Sequence, residues 1–392
     1  MDLSDRVRSI KPSATLTINA KAQELRAKGR TIVSLAVGEP DFPTPDHVCQ
    51  AAKQALDDGF TRYTAVPGIP ELRQGVADYF KTFYGVTAAT DNVMVSNGGK
   101  QCLYNLLQAL VNPGDEVLVP APYWVSYPAM VQLAGGTTVP VPTEPEDGFL
   151  VSVDGLEKHR TERTRVLILN TPSNPTGGHY PRADLDRIME WAVANRVFVI
   201  ADEIYDQLVY APAESASVSP WWERHPDSVA VVNGLAKSFA MTGWRVGYVL
   251  AHADLIKAMC KIQGQSTSNI CSMAQKGALA ALKGSWDFLD GARKNFIRRR
   301  DLALEIVRSW DGVTCPTPDG AFYLFPRVDG CYSAEVPDST ALCARILEKA
   351  GVALVPGAAF GDDRCIRISY AVADEVLKEA LEAIGKVLRE LK

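Results

Sequence analysis

The segment GLAKSFAMTGWRVGY at residues 234–248 places two cationic side chains among residues typical of a protein core. Lys237 comes shortly after the apolar run SVAVVN, and Arg245 follows eight positions later beside valine and glycine. Lysine and arginine are rarely buried without a partner, because removing an unpaired charge from water is costly. The segment therefore indicates that both cations have a specific chemical task.

A second group of polar residues falls at the ends of apolar runs that look like strands. The sequence NGGK after NVMVS opens a helix with two glycines, and the free N–H groups of such a helix start form an anion site suited to phosphate. Asn174 follows the run RVLILN, Asp202 ends the run VFVIAD, and Tyr205 lies three positions further on. Because ligands collect beyond the carboxyl ends of strands in open α/β sheets, we expect these groups to share one site.

Each of these features also has an ordinary structural explanation. The glycine pair and Asn174 are typical of tight turns, and Asp202 could cap the following helix. Arg245 could form a structural ion pair, and Lys237 could extend its ammonium group to solvent. The set is more specific than its members, since an anion site, a carboxylate, two neutral hydrogen-bonding groups and an amine occur together at predicted strand ends.

This set matches the chemistry of pyridoxal phosphate, which carries a phosphate, a pyridine nitrogen, a ring oxygen and an aldehyde that a lysine can bind as a Schiff base. A carboxylate beside the ring nitrogen keeps the ring electron-withdrawing. Trp124, in APYWVSY after the strand EVLVP, could pack on the ring face or could be an ordinary packed aromatic residue. The sequence has neither a P-loop nor a GxGxxG motif after a strand, which disfavours a nucleotide cofactor.

The elements that must position these residues alternate between strand and helix from about residue 92. The runs NVMVS, DEVLVP, TTVPVP, RVLILN, VFVIAD and SVAVVN are nearly continuous in apolar character, which is typical of strands buried on both faces of a mostly parallel sheet. Helical stretches such as PRADLDRIMEWAVANR lie between them, so the alternation predicts an α/β fold. We also expect a helix over residues 14–29, a strand at the start of TIVSLAVGEPDFPTP and a helix over YWVSYPAMVQLAGG.

The pattern changes after residue 252, where long helices precede a final part of mixed strands and helices. We therefore predict a large cofactor-binding domain over residues 46–290. Residues 1–45 and 291–392 are predicted to form a smaller domain. The helix in WDFLDGARKNFIRRRDLALEIVRSW is expected to bridge the two domains.

Composition and charge argue against several classes of protein. With 41 Lys and Arg against 46 Asp and Glu, the chain has no basic footprint for nucleic acid, and its densest basic cluster, IRRRD at 297–301, is expected to be a solvated helix face. No run approaches the ~20 apolar residues that span a membrane, and the first residues do not resemble a secretory signal. The eight cysteines form no CxxC pair, and no histidine lies at zinc-ligand spacing from them, so we expect no metal site. Because the chain is long and shows no export signal, we expect the cysteines to be free thiols in the cytoplasm.

Over nearly its whole length the chain resembles class I aminotransferases of fold type I, in particular the bacterial subgroup of aspartate and aspartate/prephenate aminotransferases. The segments that carry the resemblance are KPSAT, AVGEPDFPTP, YTAVPGIPELR, GGKQ, PYWVSYP, NTPSNPTG, ADEIY, NGLAKSFAMTGWRVGY, GAFYLF, VPGAAFG and RISYA. The resemblance implies a mostly parallel seven-stranded sheet between helices, a smaller α+β domain, and pyridoxal 5′-phosphate as cofactor.

The resemblance also implies a role for each matched residue around the cofactor ring. Lys237 would form the Schiff base and later shuttle the substrate proton. Asp202 would pair with the pyridinium nitrogen, while Asn174 and Tyr205 would donate hydrogen bonds to the ring oxygen. Trp124 would lie over the ring face.

The phosphate site implied by the resemblance draws on two subunits of a homodimer. Its members would be Gly98, Gly99, the N–H of Lys100, Arg245 and Tyr63 of the neighbouring subunit. Many relatives also carry serine one or three positions before the lysine, where this chain has Ala236 and Gly234. This departure predicts a weaker phosphate site rather than a different cofactor.

The substrate site implied by the resemblance contains two further cations. Arg367, in RISYA, would bind the α-carboxylate bidentately with support from the N–H of Gly38. Without the resemblance, Arg367 would be interpreted as part of a surface ion pair. Lys100 would meet the distal carboxylate of a dicarboxylic substrate, assisted by Thr15 and Ser13. A solvated lysine at a helix start is the alternative for Lys100.

The implied activity is ping-pong transfer of an amino group from an L-amino acid, aspartate first, to a 2-oxo acid such as 2-oxoglutarate. Prephenate or an aromatic amino acid is the second choice of substrate, because the prephenate ring also carries a carboxylate. A pyridoxal-phosphate lyase on the same fold remains a rival, since it would keep both Lys237 and Asp202.

Overall fold

The computed structural model describes residues 1–10, 12 and 14–391, and for residues 14, 15 and 19 it describes the backbone alone. Its α-helices are α1 (Asp5–Ser9), α2 (Ala14–Ala27), α3 (Asp46–Asp57), α4 (Pro70–Tyr84), α5 (Gly99–Leu110), α6 (Tyr127–Leu133), α7 (Val153–His159), α8 (Arg182–Ala194), α9 (Ser219–Arg224), α10 (Ala253–Gly264), α11 (Ser272–Lys283), α12 (Phe288–Arg308), α13 (Ser339–Ala350) and α14 (Asp374–Glu390). Short 3₁₀ turns are formed by Thr90–Asn92, Pro145–Asp147, Asp329–Cys331 and Gly357–Phe360.

The strands belong to three sheets, of which the largest has seven strands. They are β1 (Val33–Ser34), β2 (Val93–Asn97), β3 (Glu116–Ala121), β4 (Thr137–Pro142), β5 (Thr164–Asn170), β6 (Phe198–Asp202), β7 (Val229–Gly234), β8 (Val246–Leu250), β9 (Tyr323–Leu324), β10 (Val352–Ala353), β11 (Val355–Pro356) and β12 (Ile366–Ser369). The large sheet has the order β2-β8-β7-β6-β5-β3-β4, and only β8 runs against its neighbours. The prediction of a mostly parallel seven-stranded sheet in an α/β fold is confirmed.

The large sheet is buried on both faces, as its apolar strands predict. Along β5, Leu167 and Leu169 join the core on one side, while Val166 and Ile168 join the core on the other. All four are at most 1% exposed. Because both faces need cover, helices pack on each side, and the sheet becomes a rigid base for the loops at its edge.

The smaller sheets stand beside a second core. In one of them β12 pairs antiparallel with β11 and β9, and in the other β1 pairs parallel with β10. Helices α12, α13 and α14 pack around this core, which includes Phe322, Ile368 and Leu381. β12 carries Arg367, so this part of the molecule contributes to the site described below.

Helix α12 contacts both cores along its length. Phe288 packs against the core of the large sheet, while Phe296 and Val307 belong to the core of the small sheets. The Arg293 Nε–H also donates to the backbone oxygen of Gln207 at 2.8 Å. These contacts agree with a bridging helix, and the domain boundaries near residues 45 and 290 stay predictions.

Two expected elements differ from the structure. The helix expected over YWVSYPAMVQLAGG begins only at Tyr127, because Pro128 has no N–H and is accommodated in the first turn of a helix. The strand expected at the start of TIVSLAVGEPDFPTP is reduced to β1, after which the chain continues as an irregular loop to α3. The residues left outside both elements, among them Gly38 and Trp124, line the candidate site.

The expectation that IRRRD is a solvated helix face is wrong for two of its arginines. Arg299 is 8% exposed because its guanidinium group lies against two carboxylates, and the Arg300 side chain is only 12% exposed. Arg298 keeps the expected exposure. Charges on a helix face become buried when other elements supply opposite charges, which a local sequence pattern does not show.

Candidate active site

A cavity of about 440 Å³ lies where the ends of the large-sheet strands meet β12. It gathers ten of the residues predicted to form the site, namely Gly38, Gly99, Lys100, Trp124, Asn174, Asp202, Tyr205, Lys237, Arg245 and Arg367. These residues come from segments spread over more than 300 positions of the chain. The prediction that the strand-end residues share one site therefore agrees with the fold.

Lys237 lies half-buried in the wall of this cavity, three residues after β7. Its Nζ donates a hydrogen bond to the Gly38 oxygen at 2.6 Å. Burial lowers the pKa of Lys237 from 10.5 to about 8, with Arg367 and Arg245 adding to the decrease and Glu39 opposing it. A substantial fraction of this amine is therefore neutral near physiological pH, which suits a nucleophile and proton carrier.

Asp202 is the last residue of β6 and is 5% exposed. Its Oδ2 accepts a hydrogen bond of 2.7 Å from the Tyr127 hydroxyl, and its Oδ1 accepts a longer one from the Ile204 N–H. Burial raises the pKa of Asp202 to about 6 despite these hydrogen bonds. A cationic partner in the cavity would offset this cost and keep the carboxylate charged.

The residues of the predicted anion site lie at the start of α5. Gly98 has a φ of 81°, and a Cβ atom there would lie 2.5 Å from Nη2 of Arg245, so glycine allows the guanidinium group to approach the helix start. Arg245 itself has a φ of 57°, a conformation that costs a non-glycine residue about 1–2 kcal/mol. Its Nη1 and Nη2 donate to the backbone oxygens of Thr242 and Asn97.

Arg245 is exposed in the chain described here, contrary to the core pattern of its surrounding sequence. The reason is that β8 begins at Val246, so Arg245 is the last residue of the connecting loop rather than part of the buried strand. Its charge is open to an anion at the α5 start.

Gly234 and Ala236 differ in the space around them. A Cβ atom at Gly234 would lie 2.9 Å from the Val246 oxygen and 3.1 Å from the Gly247 Cα, so a side chain there requires a backbone shift. Ala236 is 9% exposed and lines the cavity. The missing hydroxyl at 234 thus has a packing reason in this chain, whereas position 236 faces the site.

Arg367 is 3% exposed and has no carboxylate partner among the described residues. Its Nη1 donates to Oδ1 of Asn174 at 2.8 Å, its Nη2 donates to the Ala36 oxygen at 2.6 Å, and its buried Nε has no hydrogen-bond partner in the structure. Burial lowers the pKa of Arg367. A buried guanidinium group with only neutral partners is well suited to bind a carboxylate.

Two tyrosines stand beside Arg367. The hydroxyl groups of Tyr205 and Tyr323 lie 2.8 Å apart, and the Arg367 guanidinium carbon lies 4.6 Å from the Tyr323 ring centre. Burial raises the pKa of Tyr205, so its hydroxyl stays protonated and can donate a hydrogen bond. Tyr205 can therefore donate a hydrogen bond in the cavity, and its contact with the ring oxygen stays a prediction.

Lys100 lies at the mouth of the cavity and is exposed. Its Nζ is 4.8 Å from the ring centre of Trp124, a distance typical of a cation–π contact. Partial burial and the nearby charge of Arg245 lower the pKa of Lys100. Lys100 is therefore a solvated lysine at a helix start that also lines the cavity, and its contact with a distal carboxylate stays a prediction.

Two predicted residues of the described chain, Gly98 and Tyr63, do not line the cavity, although Gly98 lies beside Arg245 at the start of α5. Tyr63 is 91% exposed and does not line the cavity in the single chain. Ser13 and the Thr15 side chain lie outside the described residues. The neighbouring Leu16 does line the cavity, so the start of α2 borders the site.

Several residues that shape the site could not be predicted from the sequence. Tyr127 and Tyr323 lie within the motifs PYWVSYP and GAFYLF, but nothing in their spacing showed which tyrosine would face Asp202 or Arg367. Asn170 donates through Nδ2 to the backbone oxygen of Asp202 and accepts at Oδ1 from the backbone N–H of Asn174. Glu39 lines the cavity as a second carboxylate besides Asp202.

Comparison with known proteins gives a consistent family. The model of the family described as aminotransferase class I and II matches residues 30–384. An aspartate/prephenate aminotransferase of Cereibacter sphaeroides is 47% identical over 389 residues, which are 97% of this chain and 97% of that protein. The Thermus thermophilus protein of the same name is 44% identical and covers 98% of both chains.

Solved structures give the same result. An aspartate aminotransferase from Thermus thermophilus with maleate has a TM-score of 0.94 at 43% sequence identity and covers 99% of this chain and all of its own. An aspartate aminotransferase from Rhizobium meliloti has a TM-score of 0.95 at 38% identity and covers 99% of both chains. No helix of the described residues combines the length and apolar character needed to cross a membrane.

Proposed function

The chain belongs to the class I and II aminotransferases, and from this premise we propose that it transfers the amino group of L-aspartate to 2-oxoglutarate with pyridoxal 5′-phosphate as cofactor. The observation that carries the proposal is the single cavity that holds Lys237, Asp202 and Arg367. An amine of lowered pKa, a buried carboxylate and a buried guanidinium group without an anionic partner meet the needs of amino-acid transamination.

The residues present fit the proposed cofactor. Asp202 would face the ring nitrogen, whose positive charge would offset the burial of this carboxylate. The α5 start and Arg245 would hold the phosphate, and the close packing of Arg245 on Gly98 supports this assignment. When bound, the cofactor supplies an aldehyde for the amine and a ring that withdraws electrons from the substrate α-carbon.

The chain contributes binding and proton transfer. Arg367 would hold the α-carboxylate with its Nε and Nη atoms, and Gly38 would add a backbone N–H, which donates to no described residue. Lys237 would take and return the α-proton, because its amine is neutral often enough to act as a base. Trp124 and Tyr205 would limit where the ring can lie.

The choice of aspartate depends on Lys100. This lysine lines the same cavity as Arg367, and its contact with Trp124 restricts its position. A dicarboxylic substrate could then be held at both ends. Prephenate, named for several relatives, is the second candidate because its ring carboxylate could meet the same lysine.

An amino-donor panel with 2-oxoglutarate tests this proposal. Aspartate, glutamate, phenylalanine and tyrosine are compared as donors, and prephenate as an alternative acceptor, on wild type, Lys100→Ala and the exposed control Lys53→Ala. Loss of a charge-assisted hydrogen bond of about 1.5–3 kcal/mol should raise KM for aspartate about 10- to 100-fold in Lys100→Ala and leave phenylalanine largely unaffected. Lys237→Ala, which lacks the proposed catalytic amine, gives the background rate of amino-group transfer.

Equal aspartate kinetics in wild type and Lys100→Ala would contradict the substrate assignment. The lyase alternative is tested in the same assay with ¹⁵N-aspartate. Transfer of the label to glutamate supports an aminotransferase, while release of labelled ammonia supports the lyase.

We also propose a cytoplasmic homodimer with shared sites. The eight cysteines are all free thiols, as expected in a reducing compartment. Tyr63 is a large aromatic side chain that is almost fully exposed in one chain, as expected if it reaches the phosphate site of a second subunit.

A further inference from the structure

The loop over residues 38–45 separates two cavities. Gly38 and Glu39, at its start, line the candidate active site. Asp41, Phe42, Pro43 and Pro45 line a second cavity of about 420 Å³, whose other wall is formed by α12. Because one side of this loop faces open space, close packing alone does not fix its position.

Polar contacts tie the loop to the segment that carries Lys237. The Gly38 oxygen accepts from Lys237 Nζ at 2.6 Å. The Thr44 hydroxyl donates to the Ala240 oxygen at 2.8 Å and accepts from the Trp244 indole N–H at 3.2 Å. Movement of the loop therefore changes the surroundings of the proposed catalytic amine.

A buried arginine holds the middle of the loop from the opposite side. Nη1 and Nη2 of Arg299, on α12, each donate to one oxygen of Asp41 at 2.8 Å. The Nε of the same guanidinium group donates to Oδ1 of Asp374, the first residue of α14, at 3.0 Å. Arg298 donates two further hydrogen bonds to Asp374 and none to the loop among the described residues.

We propose that the ion pair of Asp41 and Arg299 positions Gly38 for the substrate, so that Asp41 and Arg299 are positioning residues for substrate binding. Asp41 lies three residues after Gly38, and its fork-like contact with Arg299 restrains both distance and angle. The inference rests on the proposed function in one respect, the role of the Gly38 N–H at the substrate α-carboxylate.

The network contains a matched internal control. Asp41 and Asp374 are both carboxylates bound to Arg299, but only Asp41 belongs to the loop. Asp41→Asn keeps the side-chain shape and removes the charge that accepts both donors, while leaving Arg299 paired with Asp374. Asp374→Asn removes the other partner and leaves the loop contact in place.

The test compares wild type, Asp41→Asn and Asp374→Asn as full-length enzyme with bound cofactor. We expect Asp41→Asn to raise KM for aspartate about 10-fold, to weaken maleate binding by a similar factor and to change kcat less than about 3-fold. Asp374→Asn should keep KM within about 2-fold of wild type, although it removes more hydrogen bonds and should lower Tm at least as much.

Hydrogen exchange supplies a readout that does not depend on activity. The amides of residues 38–44 should exchange faster in Asp41→Asn than in Asp374→Asn, without substrate present. Arg299→Lys, which keeps the charge but loses the fork, should change KM in the same direction as Asp41→Asn and serves if that variant does not fold.

Equal effects of Asp41→Asn and Asp374→Asn on KM and on loop exchange would overturn the inference. If wild type transfers no amino group while Asp41→Asn still frees the loop amides, the proposed function fails and the positioning contact stands.

Discussion

Lys237 shows how one side chain acquires chemical properties from its surroundings. The cavity withdraws water from its amine, and the cations Arg367 and Arg245 disfavour a further positive charge. Glu39 acts in the opposite direction. The resulting pKa of about 8 depends on burial and on the charges of Glu39, Arg367, Arg245 and Asp202, so it cannot be deduced from the motif AKS alone.

This environment predicts how the reactivity of the Lys237 amine depends on pH in cofactor-free protein. A lysine reacts with formaldehyde through its neutral form, so reductive methylation of Lys237 should rise with pH around a midpoint near 8 rather than 10.5. Glu39→Gln removes a charge that raises the pKa and should move the midpoint lower, whereas Glu39→Asp should keep it close to wild type. Mass spectrometry of the Lys237 peptide measures the modified fraction. A wild-type midpoint above pH 10 would show that the cavity does not perturb this amine.

The antiparallel direction of β8 explains how the residues of the proposed phosphate site come together. Its neighbours end at the site, but β8 begins there, so Arg245 precedes a strand and still joins groups that follow strands. The β7–β8 connection also contains Lys237. The connection between these two antiparallel strands thus supplies both Lys237 and Arg245 to the cavity.

The end of β7 gives a prediction about the two positions where many relatives have serine. Gly234→Ser should destabilise the protein by about 1–3 kcal/mol, because its Cβ would press on the Val246 oxygen. Ala236→Ser should preserve stability and tighten pyridoxal-phosphate binding about 3- to 10-fold through one added hydrogen bond. Thermal unfolding and cofactor titration measure the two effects. Similar losses of Tm in both variants would contradict the assigned difference in space.

The sequence was informative where a residue's role follows from a strand end, and less so elsewhere. Asp202 and Lys237 could be placed because apolar runs predict buried strands whose ends meet at one edge. Arg367 needed the resemblance, since β12 belongs to a different sheet and local pattern suggests a surface ion pair. The burial of Arg299 was predicted wrongly, because its partners Asp41 and Asp374 lie 258 and 75 positions away.

At the scale of the whole molecule, the proposed shared site requires two chains. Tyr63 is 91% exposed, and Lys237 lies in a cavity that does not include it. If Tyr63 completes the phosphate site of the neighbouring subunit, a chain that lacks Tyr63 and a chain that lacks Lys237 can together form one intact site.

Mixing two defective variants tests this arrangement. Lys237→Ala and Tyr63→Ala homodimers should each have little or no activity at limiting cofactor. After joint unfolding and refolding in equal amounts, about one site in four should combine an intact Lys237 with an intact Tyr63 and recover activity. Ultracentrifugation measures the dimer, and the aspartate assay measures recovery. An activity no higher than that of the unmixed variants would contradict a site shared through Tyr63. A mixture of Lys237→Ala with wild type, refolded in the same way, shows how much activity is lost by dilution of intact chains alone.

The hydrogen bond from Arg367 to Asn174 has a consequence for molecular discrimination. An arriving α-carboxylate finds a guanidinium group that is desolvated, already oriented, and still lacking a partner for its Nε. An amine without that carboxylate would seal the cavity over this unmet donor, at a cost of about 1–3 kcal/mol or more for a charged group. If Arg367 binds the α-carboxylate as proposed, the site should discriminate against decarboxylated amines, and it should do so through an unsatisfied donor rather than through a steric barrier.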